Sequence, residues 1–212
     1  MHITTLYLVR HGETYENHDR IFQGVLDTKL TEKGLEQSKW LGQYFKDIHI
    51  DKAYTSPLSR ARLTAEGALT YHPEVKAEVV GELHEIKGGE LQGLDFDTCN
   101  KRFDNIMVTF KENPSAFDPP GGESLPQVYR RFTKAVNTLV KENLGKTILI
   151  AAHGTVIQTW INYARGIPEN KMELAFLPNG SVSKFIFDDN MNITIDYLGD
   201  DSYMDNKLTK DS

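Results

Sequence analysis

Apolar and polar residues recur along the chain with two different periods, and each change of period marks the boundary of an element. Residues 3–9 (ITTLYLV) are mostly apolar or β-branched and predict a strand that ends at Arg10-His11-Gly12. Thr31 is placed to cap a helix whose apolar face is Leu41, Tyr44, Phe45 and Ile48, at i, i+3, i+4 and i+7. A short strand over 51–55 follows, and Ser56-Pro57 then opens a second helix. Proline is tolerated there because a first-turn N–H has no helical partner to lose. Leu58, Ala61, Ala65, Ala68 and Leu69 form the buried stripe of that helix, and residues 76–83 predict a third strand.

Further on, Ser124 and Gln127 stand in capping-box register ahead of a helix over 124–142, with Val128, Phe132, Val136, Leu139 and Val140 inward. The run 146–152 (KTILIAA) is almost wholly apolar, as suits a central strand covered on both faces. It leads into His153-Gly154 and a helix with Val156, Ile157, Trp160 and Ile161 inward. Strands at about 182–187 and 192–198, joined at Asp188-Asp189-Asn190, predict a closing hairpin. Between the third strand and the Pro119-Pro120-Gly121-Gly122 break, Phe96, Phe103, Phe110 and Phe117 recur every seven residues, the spacing of one packed helix face and its exit.

Alternating strands and helices imply an α/β fold: a three-layer, doubly wound, mostly parallel sheet with helices on both faces and a C-terminal β-hairpin. The expected organisation is one domain over 1–199, with 86–122 as a candidate lid or specificity segment and 200–212 as a frayed polar tail. In such folds the site lies beyond the carboxyl ends of the strands. That rule selects Arg10 and His11 after the first strand, Arg60 in the turn after the second, Glu85 after the third and His153 after the apolar one.

Composition narrows the field. With 24 basic against 30 acidic residues the formal charge is −6, which argues against nucleic-acid or anionic-membrane binding, both of which need a basic face. Cys99 is the only cysteine, so no internal disulfide can form. No apolar run approaches the ~18 residues of a membrane span, and the amino terminus shows no signal-peptide pattern. A cytoplasmic protein, monomer or homodimer, is expected. The 7 histidines include no H-E-x-x-H or cysteine-paired pattern, so no metal and no cofactor is expected. A Walker-type glycine loop is also missing.

A neutral imidazole can attack phosphorus, and Gly12 beside His11 lets the backbone approach a ligand closely. The run Leu8-Val9-Arg10-His11-Gly12-Glu13-Thr14 resembles the signature of the histidine phosphatase superfamily, the phosphoglycerate mutase-like proteins. Asn17, Phe22-Gln23-Gly24 and Asp27-Thr28-Lys29-Leu30-Thr31 resemble its pocket segment. Ser56-Pro57-Leu58-Ser59-Arg60-Ala61 resembles its second arginine motif, Glu82-Leu83-His84-Glu85-Ile86 its acid motif, and Ala152-His153-Gly154 its second histidine.

The resemblance implies that His11 takes the phosphoryl group while Arg10 and Arg60 grip its oxygens, with His153 as a third donor. Glu85 would be the general acid, a role favoured by partial burial beside another anion. Asn17 and Gln23 would donate hydrogen bonds, and Gly24 and Gly154 would line the pocket. Glu85 is followed by Ile86-Lys87-Gly88-Gly89, where the mutases have an Arg-His-Tyr-Gly run, and Gly122-Glu123-Ser124 also fits the phosphatase branch. The expected activity is hydrolysis of a small phosphorylated metabolite. The alternatives are a phosphoglycerate mutase and a catalytically weak phosphate-binding regulator.

Overall fold

Six strands make one sheet in the order β3-β2-β4-β1-β5-β6. The computed structural model describes residues 3–204. β1 (Thr4–Arg10), β2 (Lys52–Thr55), β3 (Ala77–Val79) and β4 (Thr147–Ala152) run parallel, and β1 sits beside β4 with Arg10 opposite Ala152. β5 (Val182–Phe187) and β6 (Ile193–Asp200) add an antiparallel hairpin on the far side of β1. Among the described residues the seven α-helices are α1 (Tyr15–His18), α2 (Glu32–Phe45), α3 (Ser59–Ala68), α4 (Phe96–Arg102), α5 (Ile106–Glu112), α6 (Leu125–Glu142) and α7 (Gly154–Ala164).

The period-two alternation of the central strands sorts their side chains into two cores. Leu6, Leu8, Ile148 and Ile150 pack with Phe132 and Val136 of α6 and Trp160 of α7. Tyr7, Val9, Leu149 and Ala151 face the other way, against Leu41 and Phe45 of α2 and Ala65 and Ala68 of α3. Both faces of β1 and β4 are therefore covered, and their carboxyl ends are held by two layers of helices. Burial of each large side chain is worth about 1.5–3 kcal/mol, so these two strands anchor the fold. α2 and α3 approach closely because Gly67 carries no Cβ; one built there would lie 2.6 Å from the Ser38 carbonyl oxygen.

Three expectations change. The third strand is only three residues long, and Gly81–Leu83 form a 3₁₀ turn, so Glu85 is presented by a turn rather than by a strand end. The four regularly spaced phenylalanines do not share one helix. Asp104 and Asn105 adopt left-handed backbone (φ 46° and 56°) and break the segment into α4 and α5. Finally, the expected frayed tail is packed as far as it is described. β6 continues to Asp200, Met204 is buried, and the Tyr203 hydroxyl donates to the Gly180 carbonyl. The remainder of that tail, 205–212, lies outside the described residues. Among the described residues no helix is long and apolar enough to cross a membrane.

Candidate active site

His11 directly follows β1, and its backbone N–H still pairs with the Ala152 carbonyl of the neighbouring strand at 3.0 Å. Gly12 lets α2 come up against this turn, since a Cβ there would lie 2.5 Å from the Gly34 carbonyl oxygen. The ring Nδ1 is 2.7 Å from the Gly12 carbonyl oxygen. A carbonyl only accepts, so Nδ1 carries the proton and Nε2 presents a bare lone pair. Arg60 Nε donates to that lone pair at 3.3 Å. Burial, then the charges of Arg60 and Arg10, hold the His11 pKa well below the usual histidine value. The imidazole is neutral at neutral pH, which is the nucleophilic form.

The two arginines are the main electrostatic anomaly. Arg60 is buried and Arg10 half-buried, and desolvation pushes each guanidinium pKa down to about 10, against the opposing pull of the Glu85 charge. They remain cationic at neutral pH. Among the described residues neither guanidinium lies within ion-pair distance of a carboxylate. Arg60 is held by the loop after α1. Its Nη1 donates to the Leu26 carbonyl at 2.6 Å and to Thr28 Oγ1 at 3.2 Å, and its Nη2 to the Gly24 carbonyl at 2.8 Å. Gly24 needs its left-handed backbone (φ 52°) to offer that carbonyl. Arg10 donates from Nη1 to the Leu177 carbonyl, while its buried Nε has no partner. Its guanidinium packs over Gly154, where a Cβ would sit 3.2 Å from Nε.

Glu85 is buried, with Oε1 accepting from the Ile86 N–H at 2.9 Å and Oε2 from the Thr155 N–H at 3.0 Å, in the first turn of α7. The neighbours differ from expectation: the charges that feel Glu85 belong to Arg10 and Arg60 rather than to another anion. Arg131 fixes the segment leading to Glu85. It pairs with Glu123 at 2.8 Å and donates to the Glu82 and His84 carbonyls at 2.6 and 3.0 Å.

Arg10, His11, Asn17, Gln23, Gly24, Arg60, Glu85 and Gly154 all line one cavity of about 270 Å³. His153 does not. It is fully buried behind the wall, edge-on to the His11 ring with centroids 5.1 Å apart. Its Nε2 is 2.7 Å from Ser56 Oγ, and its buried Nδ1 has no partner. Burial, then the Arg60 charge, lowers its pKa well below the ordinary value. Asn17 turns its Oδ1 away, accepting from the Thr14 hydroxyl and from Asn179 Nδ2, each at 3.1 Å. That arrangement frees its NH2 group. Gln23 likewise accepts from the Thr28 hydroxyl at 2.6 Å and keeps its amide donors.

Several lining or supporting residues carry no sequence signal of their own. Asn179 donates to the His11 carbonyl at 3.1 Å, and Phe176 and Leu177 reach the cavity from the segment between α7 and β5. Phe96, Met107 and Phe110 line it from α4 and α5 while also packing on the core that holds Phe103 and Phe117, which do not line the cavity. Among the described residues no cluster of three or more histidine, cysteine or acidic side chains is arranged to hold a metal ion.

A strand-end histidine with an unprotonated Nε2, beside two arginines that have no carboxylate partner, suits a phosphoryl group. The sequence profile described as "Histidine phosphatase superfamily (branch 1)" matches residues 6–200, and the chain belongs to that superfamily. A 2,3-bisphosphoglycerate-dependent phosphoglycerate mutase of Brucella ovis is 35% identical over 179 residues, 80% of this chain and 87% of that protein. Phosphoserine phosphatase 1 of Hydrogenobacter thermophilus is 29% identical over 192 residues, 90% of each. The solved structure of Bacillus stearothermophilus YhfR superposes with a TM-score of 0.89 at 30% identity, over 95% of this chain and all of that one. Relatives of both mutase and phosphatase name thus share the fold, and the chain is an enzyme-family member acting on phosphate esters.

Proposed function

We propose that the protein is a metal-independent phosphatase that hydrolyses small phosphate monoesters through a phosphohistidine on His11. The observation that carries this reading is the pair of buried guanidinium groups with no carboxylate partner, flanking a neutral histidine lone pair. A buried charge without a counter-ion is costly, and a dianionic phosphoryl group supplies the missing partner.

In the first step Nε2 bonds to phosphorus as the ester P–O bond breaks, and the departing oxygen takes a proton from Glu85, which accepts that proton as the anionic substrate binds beside it. In the second step Glu85, now a carboxylate, takes a proton from water as the water oxygen bonds to phosphorus and the N–P bond breaks. Arg60 has three of its four partners on the 24–28 loop, so its geometry is fixed before substrate arrives. Its Nε–H, on His11 Nε2 in the free enzyme, is released to a phosphoryl oxygen once that lone pair is used. His153 supports the His11 ring by edge contact. With the Ser56 hydroxyl donating to its Nε2, its Nδ1 carries the ring proton and has no partner in the free enzyme.

Hydrolysis is favoured over the mutase reaction by the supply of cations. Phosphoglycerate and its bisphosphate carry a carboxylate or second phosphate besides the reacting group, yet among the described residues only Arg10 and Arg60 bring positive charge to the cavity wall. The test is phosphate release from p-nitrophenyl phosphate in EDTA, without 2,3-bisphosphoglycerate, by the wild type and His11→Ala. Turnover that vanishes in the variant supports the reading. A requirement for the bisphosphate would favour the mutase, and silence from both proteins the phosphate-binding regulator.

A further inference from the structure

Resting on the phosphatase reading, the geometry points to the class of alcohol that leaves: uncharged and predominantly apolar, rather than a carboxylate-bearing alcohol such as glycerate or serine. The cavity is built from two kinds of residue. The strand ends contribute the reacting groups. The apolar part of the lining includes Ile21, Phe22, Phe96, Met107, Phe110 and Phe176, and its polar part beyond the reacting groups is neutral: the amides of Asn17, Gln23 and Gln158, and Thr155. These apolar residues come from three separated stretches of chain, and two of them, Phe22 and Phe110, meet edge-to-face with centroids 6.4 Å apart. Phe176 is 84% exposed, a large aromatic held in water at the rim. Leaving such a ring in water is unfavourable unless something covers it.

The positive charge in the cavity is already committed. Among the described residues Arg10 and Arg60 are the only lysine or arginine side chains on its wall, and Arg60 is engaged with His11. Arg20, the next guanidinium, stands over the Phe96 ring at 5.7 Å, is exposed and does not line the cavity. A substrate carboxylate bound here would lose its hydration to phenylalanine and methionine without gaining a cation. An alkyl or aryl group would instead gain the burial of its own surface and of the Phe176 ring. At about 270 Å³ the cavity takes one compact substituent beside the phosphoryl group. The buried Gln158 Oε1 has no partner, so a single hydroxyl or amide on that substituent is accommodated.

The test uses alkyl esters, whose leaving groups are of similar basicity, so that rate differences report binding and not reactivity. For the wild type, kcat/KM for hexyl phosphate is expected to exceed that for ethyl phosphate about tenfold or more, with 3-phosphoglycerate and phosphoserine no better than ethyl phosphate. Phe96→Ala and, separately, Phe110→Ala narrow the hexyl-to-ethyl ratio towards threefold. Binding of hexylphosphonate and ethylphosphonate, followed by calorimetry, reads the same preference without any turnover. If no ester is hydrolysed but hexylphosphonate still binds about tenfold tighter than ethylphosphonate, the catalytic reading fails and the apolar site stands. A flat alkyl series in both assays, or a carboxylated ester preferred over hexyl phosphate, overturns the inference.

Discussion

The floor and the wall of the cavity are built by different means. His11, Arg10 and Gly154 sit at the ends of β1 and β4, whose side chains are packed into both cores, and Arg60 starts α3 with its guanidinium tied to three loop groups. The wall comes from α4 and α5, each seven residues long and separated by a left-handed break, and from the Phe176 segment, which has no regular structure. Chemistry that needs sub-ångström placement is on the rigid part. Shape, which sets which alcohol fits, is on short pieces that can change without disturbing the sheet.

If that division holds, floor variants slow every ester alike and wall variants change only the ranking. The largest effect belongs to His11→Ala, expected to lower kcat on the order of 10⁴-fold for all esters, as removal of a nucleophile does. Arg60→Lys comes next, at about 10²–10³-fold in kcat/KM, because an ammonium cannot hold the Gly24 and Leu26 carbonyls and serve the phosphoryl group together. Steady-state kinetics on ethyl and hexyl phosphate checks both, and a loss confined to one ester would break the division. Gly154→Ala is smaller. Its methyl group would meet the Arg10 guanidinium at 3.2–3.3 Å and shift it by a few tenths of an ångström, for a loss of about tenfold.

A subtler effect is on stability. Burial holds His11 and His153 well below the usual histidine pKa, so the unfolded chain takes up protons near pH 6.5 while the native protein does not. The unfolded state then binds more protons, and stability present above that pH is lost as pH falls towards the native values. Each histidine contributes at most about 1.4 kcal/mol per pH unit, and each kcal/mol is worth roughly 2–4 °C in Tm for a chain of this size. Thermal melts between pH 7 and 5 are expected to fall less steeply for His153→Gln than for the wild type. Equal slopes would show that this histidine does not stay neutral in the native state.

The same division explains what could be read from the chain in advance. The reacting groups are carried by short local runs that end or follow strands, so Arg10, His11, Arg60 and Glu85 are legible in the sequence, whereas the strand order that gathers them is not. Their supports are long-range. Asn179 reaches His11 across 168 positions and Arg131 reaches Glu82 across 49, contacts that leave no periodic trace. The phenylalanine repeat was misleading for a physical reason. Seven-residue spacing suits one helix face, but the left-handed Asp104 and Asn105 turn the chain between the second and third rings, so the rings lie on separate short elements; all four pack on one core, and Phe96 and Phe110 also line the cavity. His153, expected as a third donor to the phosphoryl group, does not line the cavity but stands against the His11 ring.

The most direct test is to quench turnover of a ³²P-labelled monoester within milliseconds and map the label. The account predicts one phosphorylated nitrogen, acid-labile and alkali-stable, on the peptide bearing His11, and none in His11→Ala. Steady hydrolysis with no such label, or with label on any other residue, would contradict it.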